Sequence, residues 1–352
     1  MKDVMDFDIA IIGLGPAGST LARLLSSSLK VIAFDKKQAF GNDGFQKPCG
    51  GLLAIDAQRS LARLGLSIPT EILVHPQVSS IKTVDLQTGI SCSYRREYIN
   101  VNRHAFDLWL KSLVPETVDV RHDTLCKRVL RQHNGYRVTF VEDGVERDIT
   151  ARYVVGADGA NSLIRRTIYP YHQVREYIAI QHWFEDLSSK PFFSCIFDSE
   201  VTNCYAWSVP KSGFLIIGGA FDKKNSRDGI EKIKERMGGY QLNFGKPIKT
   251  EKCVVLYPSK ITDFCCGQDN AFLIGEAAGF ISASSLEGIS YALDSAEILS
   301  GILNGQSVSQ NRDYKYKARS LRVKLLCKII KSKLLTNQVF RSFIMKSKIK
   351  SI

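Results

Sequence analysis

A glycine-rich turn near the start of the chain constrains its fold most strongly. The turn Gly13-Leu14-Gly15-Pro16-Ala17-Gly18 follows a short apolar run at 7–12 and opens a helical pattern at 16–28, which a second apolar run at 30–34 follows. This order predicts a βαβ unit. In such a unit the first glycine allows the tight turn, the second lets the backbone approach a pyrophosphate, and the third lets the helix pack closely on the strand.

An acidic residue at the end of the second predicted strand supports dinucleotide binding. Asp35 follows Gly13 by 22 residues, at the position where an acid accepts hydrogen bonds from ribose hydroxyls. The start of the intervening helix offers free N–H groups and the positive end of its dipole to the phosphates. The predicted dinucleotide-binding residues are Gly13, Gly15, Pro16, Ala17, Gly18, Asp35 and Lys36. The alternative is a glycine-rich turn in an α/β protein that binds no dinucleotide.

The composition is that of a globular protein with room for two domains or one large composite domain. The chain has 352 residues, of which 44% are hydrophobic and 24% charged, and these values exclude disorder, collagen and coiled coil for the chain as a whole. Nine cysteines without a C-x-x-C spacing argue against a disulfide framework or a structural zinc site and favour a reducing compartment. The six histidines form no ligand-spaced cluster, so we predict no metal site.

The sequence shows neither a signal peptide nor a membrane-spanning pattern. The N-terminus lacks a basic region followed by a long apolar region. The longest apolar candidate, 271–283, is interrupted by Glu276 and is shorter than the roughly 18 to 20 residues that span a bilayer. We therefore expect a cytoplasmic protein, with a peripheral position on the cytoplasmic face of the membrane as a further expectation from the charge of its C-terminus.

The excess positive charge lies in that C-terminal segment. Residues 311–352 contain 13 Lys and Arg and a single acid, Asp313, so they carry +12 of the net charge of +13. On a helical wheel Lys317, Lys324, Lys328 and Lys331 fall on one side, opposite most of Val323, Leu325, Leu326, Ile329, Ile330 and Leu334. This pattern predicts a basic amphipathic helix, which either lies on an anionic membrane surface or docks on the body with its charged face in solvent. Nucleic-acid binding is disfavoured because the body shows no reader motif.

Two later segments resemble motifs of FAD-dependent enzymes. Val155-Gly156-Ala157-Asp158-Gly159-Ala160-Asn161-Ser162, followed by Arg165-Arg166, resembles the Asp-Gly motif of FAD-dependent hydroxylases and reductases. Leu273-Ile274-Gly275-Glu276-Ala277-Ala278-Gly279 resembles their Gly-Asp motif, whose acid binds the ribityl chain, and Glu276 replaces the usual Asp. Together with the first turn, these segments resemble the p-hydroxybenzoate hydroxylase group of glutathione-reductase-type flavoproteins. Arg103 matches an arginine that contacts FAD in these families.

Further segments resemble one branch of that group, the geranylgeranyl reductases. Lys47-Pro48-Cys49-Gly50-Gly51 resembles their Pro-Cys-Gly-Gly loop, and Tyr205-Ala206-Trp207-Ser208-Val209-Pro210-Lys211 resembles their Y-x-W-x-F-P-K segment, with Val209 in place of Phe. Glu287-Gly288-Ile289 resembles part of their G-E-G-I run, although Ser284-Ser285-Leu286 departs from the usual Pro-x-Thr-Gly. The closest resemblance, over roughly residues 5–300, is to the CbrA family, FAD-binding proteins similar to geranylgeranyl reductases.

The resemblance implies FAD as the cofactor and an α/β fold. That fold has a Rossmann-like FAD-binding domain of the glutathione-reductase type, an inserted antiparallel-sheet substrate domain and a C-terminal helical tail. The expected ranges are 1–75, 101–174 and 262–310 for the FAD-binding domain, 76–100 and 175–261 for the substrate domain, and 311–352 for the tail. The further cofactor-binding residues that it implies are Cys49, Gly50, Gly51, Arg103, Asp158, Gly159, Gly275, Glu276, Ala277, Gly279, Gly288 and Ile289.

The implied activity is the reduction of double bonds in an isoprenoid or polyprenyl lipid at the membrane surface. Cys49 is expected beside the flavin, as a proton donor, a modulator of the flavin or a buried structural thiol. Tyr205 and Trp207 are two residues apart and so face the same side of a strand, where they either line a lipid site or pack in the core. Glu287 either positions a proton or caps the following helix.

Two rival functions and the electron donor stay open at this level. The first rival is an FAD-dependent monooxygenase of a small aromatic compound, and the second is a flavoprotein that binds a prenyl lipid carrier without turnover. No second G-x-G-x-x-G marks a separate nicotinamide-binding domain. The reductant is therefore either NAD(P)H that docks transiently or a reduced protein carrier.

Overall fold

The structure is a computed structural model, and it describes residues 5–38, 47–185, 193–238, 244–305 and 307–347. The strands, in chain order, are β1 (Phe7–Ile12), β2 (Val31–Phe34), β3 (Leu52–Leu53), β4 (Val78–Asp85), β5 (Ser91–Asn100), β6 (Val118–Arg121), β7 (Leu125–Gln132), β8 (Gly135–Glu142), β9 (Val145–Gly156), β10 (Glu176–Glu185), β11 (Phe193–Phe197), β12 (Ala206–Lys211), β13 (Phe214–Phe221), β14 (Lys249–Leu256), β15 (Gly267–Gln268) and β16 (Ala271–Leu273). The α-helices are α1 (Pro16–Leu24), α2 (Ile55–Arg63), α3 (Arg103–Ser112), α4 (Leu163–Ile168), α5 (Ser226–Met237), α6 (Ile289–Leu303), α7 (Gln310–Lys317), α8 (Arg319–Thr336) and α9 (Gln338–Lys346).

The first sheet is the expected Rossmann-like sheet. Its strands follow the order β15-β16-β9-β1-β2-β6, and β1, β2, β6, β9 and β16 run parallel. The first half of β9 instead pairs antiparallel with β8, which pairs with β7. β1 and β2 are short apolar runs buried on both faces, as parallel strands covered by helices are, and α1 packs against α6 on one side of this sheet.

The second sheet follows the order β14-β10-β13-β12-β11-β4-β5-β3 and is antiparallel except for the pairing of β11 with β4. One face packs on α5 through Ile230, Ile233 and Met237. The opposite face carries Trp207 and Val209 and is turned toward the first sheet and its loops.

The two sheets divide the chain much as the expected domain ranges do. Strands of the second sheet lie within 76–100 and 175–261, except β3, which belongs to the range 1–75 and pairs with β5. The short strand β3 therefore connects the Pro-Cys-Gly-Gly segment to the second sheet. The boundaries of the domains themselves stay a prediction.

The C-terminal segment differs from the predicted amphipathic helix. It forms α7, α8 and α9 and folds back onto the body, where the Tyr314 hydroxyl donates to the carbonyl oxygen of Leu273 at 3.0 Å. The prediction of one apolar face opposite one basic face was wrong for α8. Leu325 and Ile329 are buried against the body, whereas Val323 and Ile330 are exposed. The helix has apolar residues on two sides, and the body covers one of them.

A buried ion pair fastens the last helix to the second sheet. Arg341 on α9 donates from Nε to Oδ2 of Asp85 at 2.9 Å and from Nη2 to Oδ1 at 3.1 Å, and only 1% of Arg341 is exposed. Among the residues that the structure describes, no helix combines the length and the apolar composition that crossing a bilayer requires.

Candidate cofactor and substrate site

The structure brings the three sequence motifs together at the carboxyl ends of β1, β9 and β16. A Cβ atom added to Gly13 would lie 2.6 Å from the carbonyl oxygen of Ala157, and one added to Gly275 would lie 3.0 Å from the Cβ of Ala17. Nη1 of Arg165 donates to the carbonyl oxygen of Ala277 at 2.9 Å, which links the second motif to the third. In open α/β sheets this edge is where ligands bind.

The first turn has the geometry that a pyrophosphate site needs. Gly13 has a φ of +99°, and a Cβ on Gly18 would lie only 1.9 Å from the carbonyl oxygen of Gly13, so neither position accepts a side chain. No atom of the described residues lies within 4 Å of the corresponding position on Gly15. Gly15 precedes α1, which begins at Pro16 and has no side-chain cap among the described residues. Its first N–H groups are therefore available to an anion.

Asp35 lies at the end of β2, as predicted, but it is already ion-paired. Its Oδ2 is 2.6 Å from Nζ of Lys111, and its Oδ1 accepts a hydrogen bond from the backbone N–H of Lys37 at 3.2 Å. A carboxylate has about four acceptor positions, so ribose hydroxyls can still donate to it. Lys36, the other residue predicted here, is exposed just beyond the strand.

The second motif contributes a buried carboxylate that can accept a further hydrogen bond. Oδ2 of Asp158 accepts from the backbone N–H of Leu163 at 2.6 Å, at the start of α4. Oδ1 of Asp158 is buried and has no hydrogen-bond partner within the described part of the chain. Burial raises the pKa of Asp158, although the N–H groups of α4 oppose the shift. A buried acceptor without a donor fits a cofactor hydroxyl group. The next residue, Gly159, has a φ of +72° and lies beside Glu276.

The third motif holds Glu276 between two partners from other parts of the chain. Its Oε2 forms an ion pair with Nζ of Lys47, and its Oε1 accepts from the backbone N–H of Leu256 at 3.1 Å. Burial disfavours the charged form of Lys47, but the carboxylate of Glu276 outweighs it and raises the pKa of Lys47. The extra methylene of Glu276, relative to the usual Asp, lets the carboxylate reach β14. Gly275 and Gly279 flank this short turn with φ of +56° and +78°.

Cys49 lies beside a backbone N–H group and a guanidinium. Its sulfur accepts from the backbone N–H of Gly51 at 3.4 Å, and the guanidinium of Arg103, at the start of α3, interacts with the same thiol. Arg103 also donates from Nε to Oδ1 of Asp107 at 2.8 Å. The segment that holds Cys49 touches the second sheet, because a Cβ on Gly50 would lie 3.4 Å from a methyl group of Val209.

Lys211 is a candidate functional residue that we did not assign from the sequence. Its ammonium donates to Oδ1 of Asn100 and to the carbonyl oxygen of Val101, each at 2.6 Å, and a Cβ on Gly51 would lie 2.6 Å from it. Burial lowers the pKa of Lys211 to about 8, and interaction with Cys49 opposes that shift. The only sequence signal was its place at the end of the Y-x-W segment, where it gave no hint of a buried amine.

One face of β12 connects the Cys49 loop to the start of α6. Tyr205, Trp207, Val209 and Lys211 alternate along this face, a row that we call the β12 row. The rings of Tyr205 and Trp207 are 5.8 Å apart, and the Tyr205 hydroxyl donates to the carbonyl oxygen of Ser285. The indole of Trp207 lies over Gly218 of β13, whose added Cβ would come within 2.5 Å of it.

Glu287 lies at the other end of the β12 row. The hydroxyl of Tyr98 is 3.4 Å from its Oε1, and burial raises the pKa of Glu287. Leu286, directly before it, has a φ of +51°, a strained conformation for a branched side chain. Gly288 then precedes α6, which starts at Ile289. Lys331 of α8 approaches this carboxylate from the tail and interacts with it electrostatically.

The structure thus gathers most of the predicted residues in the region where the two sheets meet, which we call the candidate site. The exposed Lys36 lies at its margin, and Lys47, Tyr98, Arg165, Lys211 and Lys331 are additional residues that the sequence did not lead us to assign. Tyr98 and Lys331 carry no local signal, because each reaches the candidate site only through the pairing of distant elements. The roles of the individual residues stay predictions. The open turn, the uncapped α1 and the unpartnered oxygen of Asp158 fit the pyrophosphate and hydroxyl groups of FAD.

Comparison with known proteins identifies the same cofactor. A family described as an FAD binding domain matches residues 6–227. Protein CbrA of Escherichia coli (strain K12) is 56% identical over 341 residues, covering 97% of this chain and 96% of that protein. Protein CbrA of Shigella sonnei (strain Ss046) has the same identity and coverage.

Solved structures share the fold at low sequence identity. A geranylgeranyl bacteriochlorophyll reductase-like protein from Thermoplasma acidophilum has a TM-score of 0.80 at 17% identity, covering 98% of this chain and 91% of that one. PqsL of P. aeruginosa, in complex with 2-aminobenzoylacetate, has a TM-score of 0.69 at 15% identity, covering 94% and 95%. The flavin-dependent halogenase CmlS has a TM-score of 0.68 at 19% identity, covering 92% of this chain and 63% of that one.

Proposed function

Because this chain belongs to the FAD binding domain family and, within it, to the family of the CbrA proteins, we propose that it is an FAD-dependent reductase of carbon–carbon double bonds in an isoprenoid lipid. The β12 row is the single observation that carries the choice of substrate. It offers a continuous wall that begins with two aromatic rings and ends beside Cys49. At about 3.3 Å per residue, the row from Tyr205 to Lys211 extends over roughly 20 Å, which suits an elongated apolar chain.

The surroundings of the row extend this apolar wall. Cys195 on β11 pairs with Trp207, and Phe193, two residues earlier, faces the same side. The ring of Phe193 contacts the ring of Tyr98 at a centroid distance of 5.5 Å. An apolar site with a few convergent polar groups is the usual form of a small-molecule site. Here the polar groups are Glu287 at one end of the row and Cys49, Arg103 and Lys211 at the other.

The reaction adds two hydrogen atoms to one double bond. The hydride for one carbon would come from FAD bound in its reduced form. The other carbon takes a proton from an acid of the protein, so that the π bond is replaced by two C–H bonds. Glu287 is the proposed acid, because burial raises the pKa of its carboxyl group, which favours the protonated form, and because it directly precedes Gly288 and Ile289, which are expected to contact the cofactor. The faces of Tyr205 and Trp207 stabilise positive charge that develops on the lipid and keep water away from it.

Cys49 is the second candidate for the acid and lies at the opposite end of the row. Its thiol interacts with Arg103 and with Lys211, so two cations stand next to it. Because this thiol is already engaged by two cations, we assign the donor role to Glu287 and a modulating role near the flavin to Cys49.

The proposal is tested by anaerobic reoxidation of the flavin. Holoenzyme reduced with dithionite is mixed with a polyprenyl alcohol, and the return of the oxidised flavin absorbance is followed in the stopped flow. The fully saturated alcohol of equal length is the matched control. Reoxidation by the unsaturated alcohol, but not by the saturated one, supports the proposal. The Trp207→Ala variant is expected to slow this reoxidation at least tenfold.

The two rival functions give different outcomes in the same preparation. A monooxygenase would show NAD(P)H-driven oxygen consumption that a small phenol stimulates, with no anaerobic reoxidation by the lipid. A carrier-binding flavoprotein would bind the polyprenyl alcohol and leave its flavin reduced. Either result would contradict the proposed reaction.

A further inference from the structure

The tail presents an apolar surface to solvent on the side away from the body. On α8, Val323, Cys327, Ile330 and Leu334 recur at intervals of four, three and four residues and lie within about 60° of one another on the helix. The exposed fractions of Val323, Ile330 and Leu334 are 50%, 54% and 39%. The following helix, α9, carries three further exposed apolar side chains. We call this set the outer stripe, and it consists of Val323, Cys327, Ile330, Leu334, Val339, Phe340 and Phe343.

The outer stripe is exposed because the opposite side of α8 is already docked. Leu321, Leu325 and Ile329 are buried in the core that they share with the first sheet. Ser332, further along, exchanges a 2.6 Å hydrogen bond with the hydroxyl of Tyr257. The buried ion pair of Arg341 with Asp85 holds α9 in the same way. Both helices are therefore fixed on the body, with their second apolar side facing outward.

Cations flank the outer stripe on both sides. Lys324 lies on one side of the stripe on α8 and Lys333 on the other, and both side chains are exposed. Arg319 lies in line with the stripe at the start of α8, and Lys346 ends α9. From Tyr314 to the end of the chain the sequence contains no Asp or Glu. The apolar surface is thus framed by positive charge without any compensating acid of its own.

We propose that the outer stripe docks on the surface of an anionic lipid bilayer. The apolar side chains enter the interface between headgroups and acyl chains, and the flanking lysines reach the lipid phosphates. Attraction of the cations to the anionic surface and burial of the apolar side chains both favour this docking. A second copy of this chain is a poor occupant of the stripe, because the approach would bring two strongly basic tails together.

The docking surface lies on the same helix that reaches the candidate site through Lys331. Lys331, between the two sides of α8, interacts with Glu287 at the end of the β12 row. A bilayer on the outer stripe would therefore lie one helix away from that end of the row. The proposal goes beyond the reductase function and stands or falls independently of it, because its test contains no catalytic measurement.

The test is co-sedimentation of the full-length holoprotein with vesicles. The vesicles contain phosphatidylcholine alone or a mixture with phosphatidylglycerol, at low and at high salt. We expect binding to the mixed vesicles that weakens with salt and at least tenfold weaker partitioning of the double variant Ile330→Asp, Phe343→Asp. The matched control is Ile248→Asp, which changes an apolar side chain that is 58% exposed outside the tail. The double variant Lys324→Glu, Lys333→Glu tests the contribution of the flanking cations and is expected to weaken binding to the mixed vesicles. Lys232→Glu, which reverses an exposed lysine on α5 outside the tail, is the control for this variant.

Three results would overturn the proposal. The first is a wild-type protein that stays in the supernatant with anionic vesicles at low salt. The second is a stripe variant that binds as tightly as the Ile248→Asp control while circular dichroism shows both to be folded. The third is a dimer in sedimentation equilibrium that the stripe variant dissociates, because a second copy would then be the occupant of the outer stripe.

Discussion

Lys47 and Glu276, which are 229 residues apart in the chain, form an ion pair where the two sheets meet. Glu276 belongs to the turn after β16 of the first sheet, and its other oxygen accepts a hydrogen bond from Leu256 of β14 in the second sheet. Lys47 precedes the Cys49 loop. One carboxylate therefore joins the cofactor motif, the loop expected beside the flavin and the sheet that carries the β12 row.

Shortening this carboxylate should separate its two contacts. Glu276→Asp removes one methylene, and the carboxylate can then no longer reach both Lys47 and the N–H of Leu256. We expect the free energy of unfolding of the apoprotein to fall by about 1 kcal/mol, the usual net value of one hydrogen bond. Glu276→Gln should cost more, because it leaves the ammonium of Lys47 without an anion. Urea unfolding measures the free energy of unfolding of both variants. We expect Glu276→Gln to be less stable than Glu276→Asp, and equal stabilities would contradict this prediction.

Gly15 should affect cofactor affinity without affecting the fold. A methyl group at this position meets no atom in the described part of the chain, but it enters the space through which the backbone approaches the pyrophosphate. Gly15→Ala is therefore expected to weaken FAD binding at least tenfold, or about 1.4 kcal/mol. Gly301→Ala in α6 is the control, since a methyl group there also has no neighbour among the described residues, and it should raise stability by about 1 kcal/mol through helix propensity. Isothermal titration with FAD measures both affinities.

The buried amine of Lys211 should make stability depend on alkaline pH. Its pKa is about 8 in the folded protein and about 10.5 when unfolded, so between these values the unfolded chain binds more protons. The contribution of Lys211 to the free energy of unfolding then rises as pH rises from 8 toward 10.5, by at most about 3 kcal/mol.

The difference between wild type and Lys211→Met isolates this effect. Other titrating groups, such as buried cysteines and tyrosines, are present in both proteins and cancel. Urea unfolding at several pH values from 7 to 10 should show the wild type gaining stability relative to the variant, whereas Lys232→Met, at an exposed lysine of α5, should show no such trend. A constant difference for Lys211→Met would refute the buried-amine interpretation.

The pair formed by Arg341 and Asp85 should dominate the attachment of the tail. Removing one partner of a buried ion pair leaves the other charge without compensation, which costs about 3 to 5 kcal/mol. Arg341→Ala should lower the free energy of unfolding by about that amount. The double variant Asp85→Leu, Arg341→Leu should be more stable than either single leucine variant. Guanidinium unfolding curves give the comparison, and additive losses would show that the pair is not coupled.

Glu287 should act as an acid that keeps its proton. If it donates a proton to the lipid, Glu287→Gln should slow single-turnover reduction by about 100-fold or more. In the wild type the rate should fall as pH rises through the raised pKa of Glu287, because the carboxyl group then loses its proton. An infrared band of a protonated carboxyl group that persists to higher pH than for an exposed glutamate, and that is absent in Glu287→Gln, provides a readout that does not depend on turnover. A wild-type protein without that band would contradict the assignment.

Local patterns in the sequence were enough to predict the cofactor half of the molecule. The glycine turn, Asp35 and the two later motifs lie on strands and turns whose positions follow from short-range signals. The first helix ends at Leu24 rather than at 28, and Ser26 and Ser28 bond to each other beyond it. Serine side chains that hydrogen-bond locally compete with helix formation, which explains the earlier end.

Several residues of the substrate-binding half could not be predicted, because they meet only through contacts between distant parts of the chain. Lys211 becomes a buried amine only because β5 places Asn100 beside it, and Glu287 meets Tyr98 only because the second sheet closes over the start of α6. The faces of α8 were also assigned wrongly, since a helical wheel shows which residues share a side but not which side the body covers. The exposed outer stripe is visible only once the docking of α8 is known.

The mass of a lipid after one anaerobic turnover tests the central claim most directly. Dithionite-reduced holoenzyme is incubated in deuterated water with a polyprenyl alcohol, and the extracted lipid is analysed by mass spectrometry. We predict a product that has gained two deuterium atoms for each double bond reduced, because dithionite supplies only electrons and both added atoms then come from the solvent, with strongly reduced yield for Glu287→Gln. A lipid that binds the reduced protein and is recovered with unchanged mass would contradict the proposed reaction.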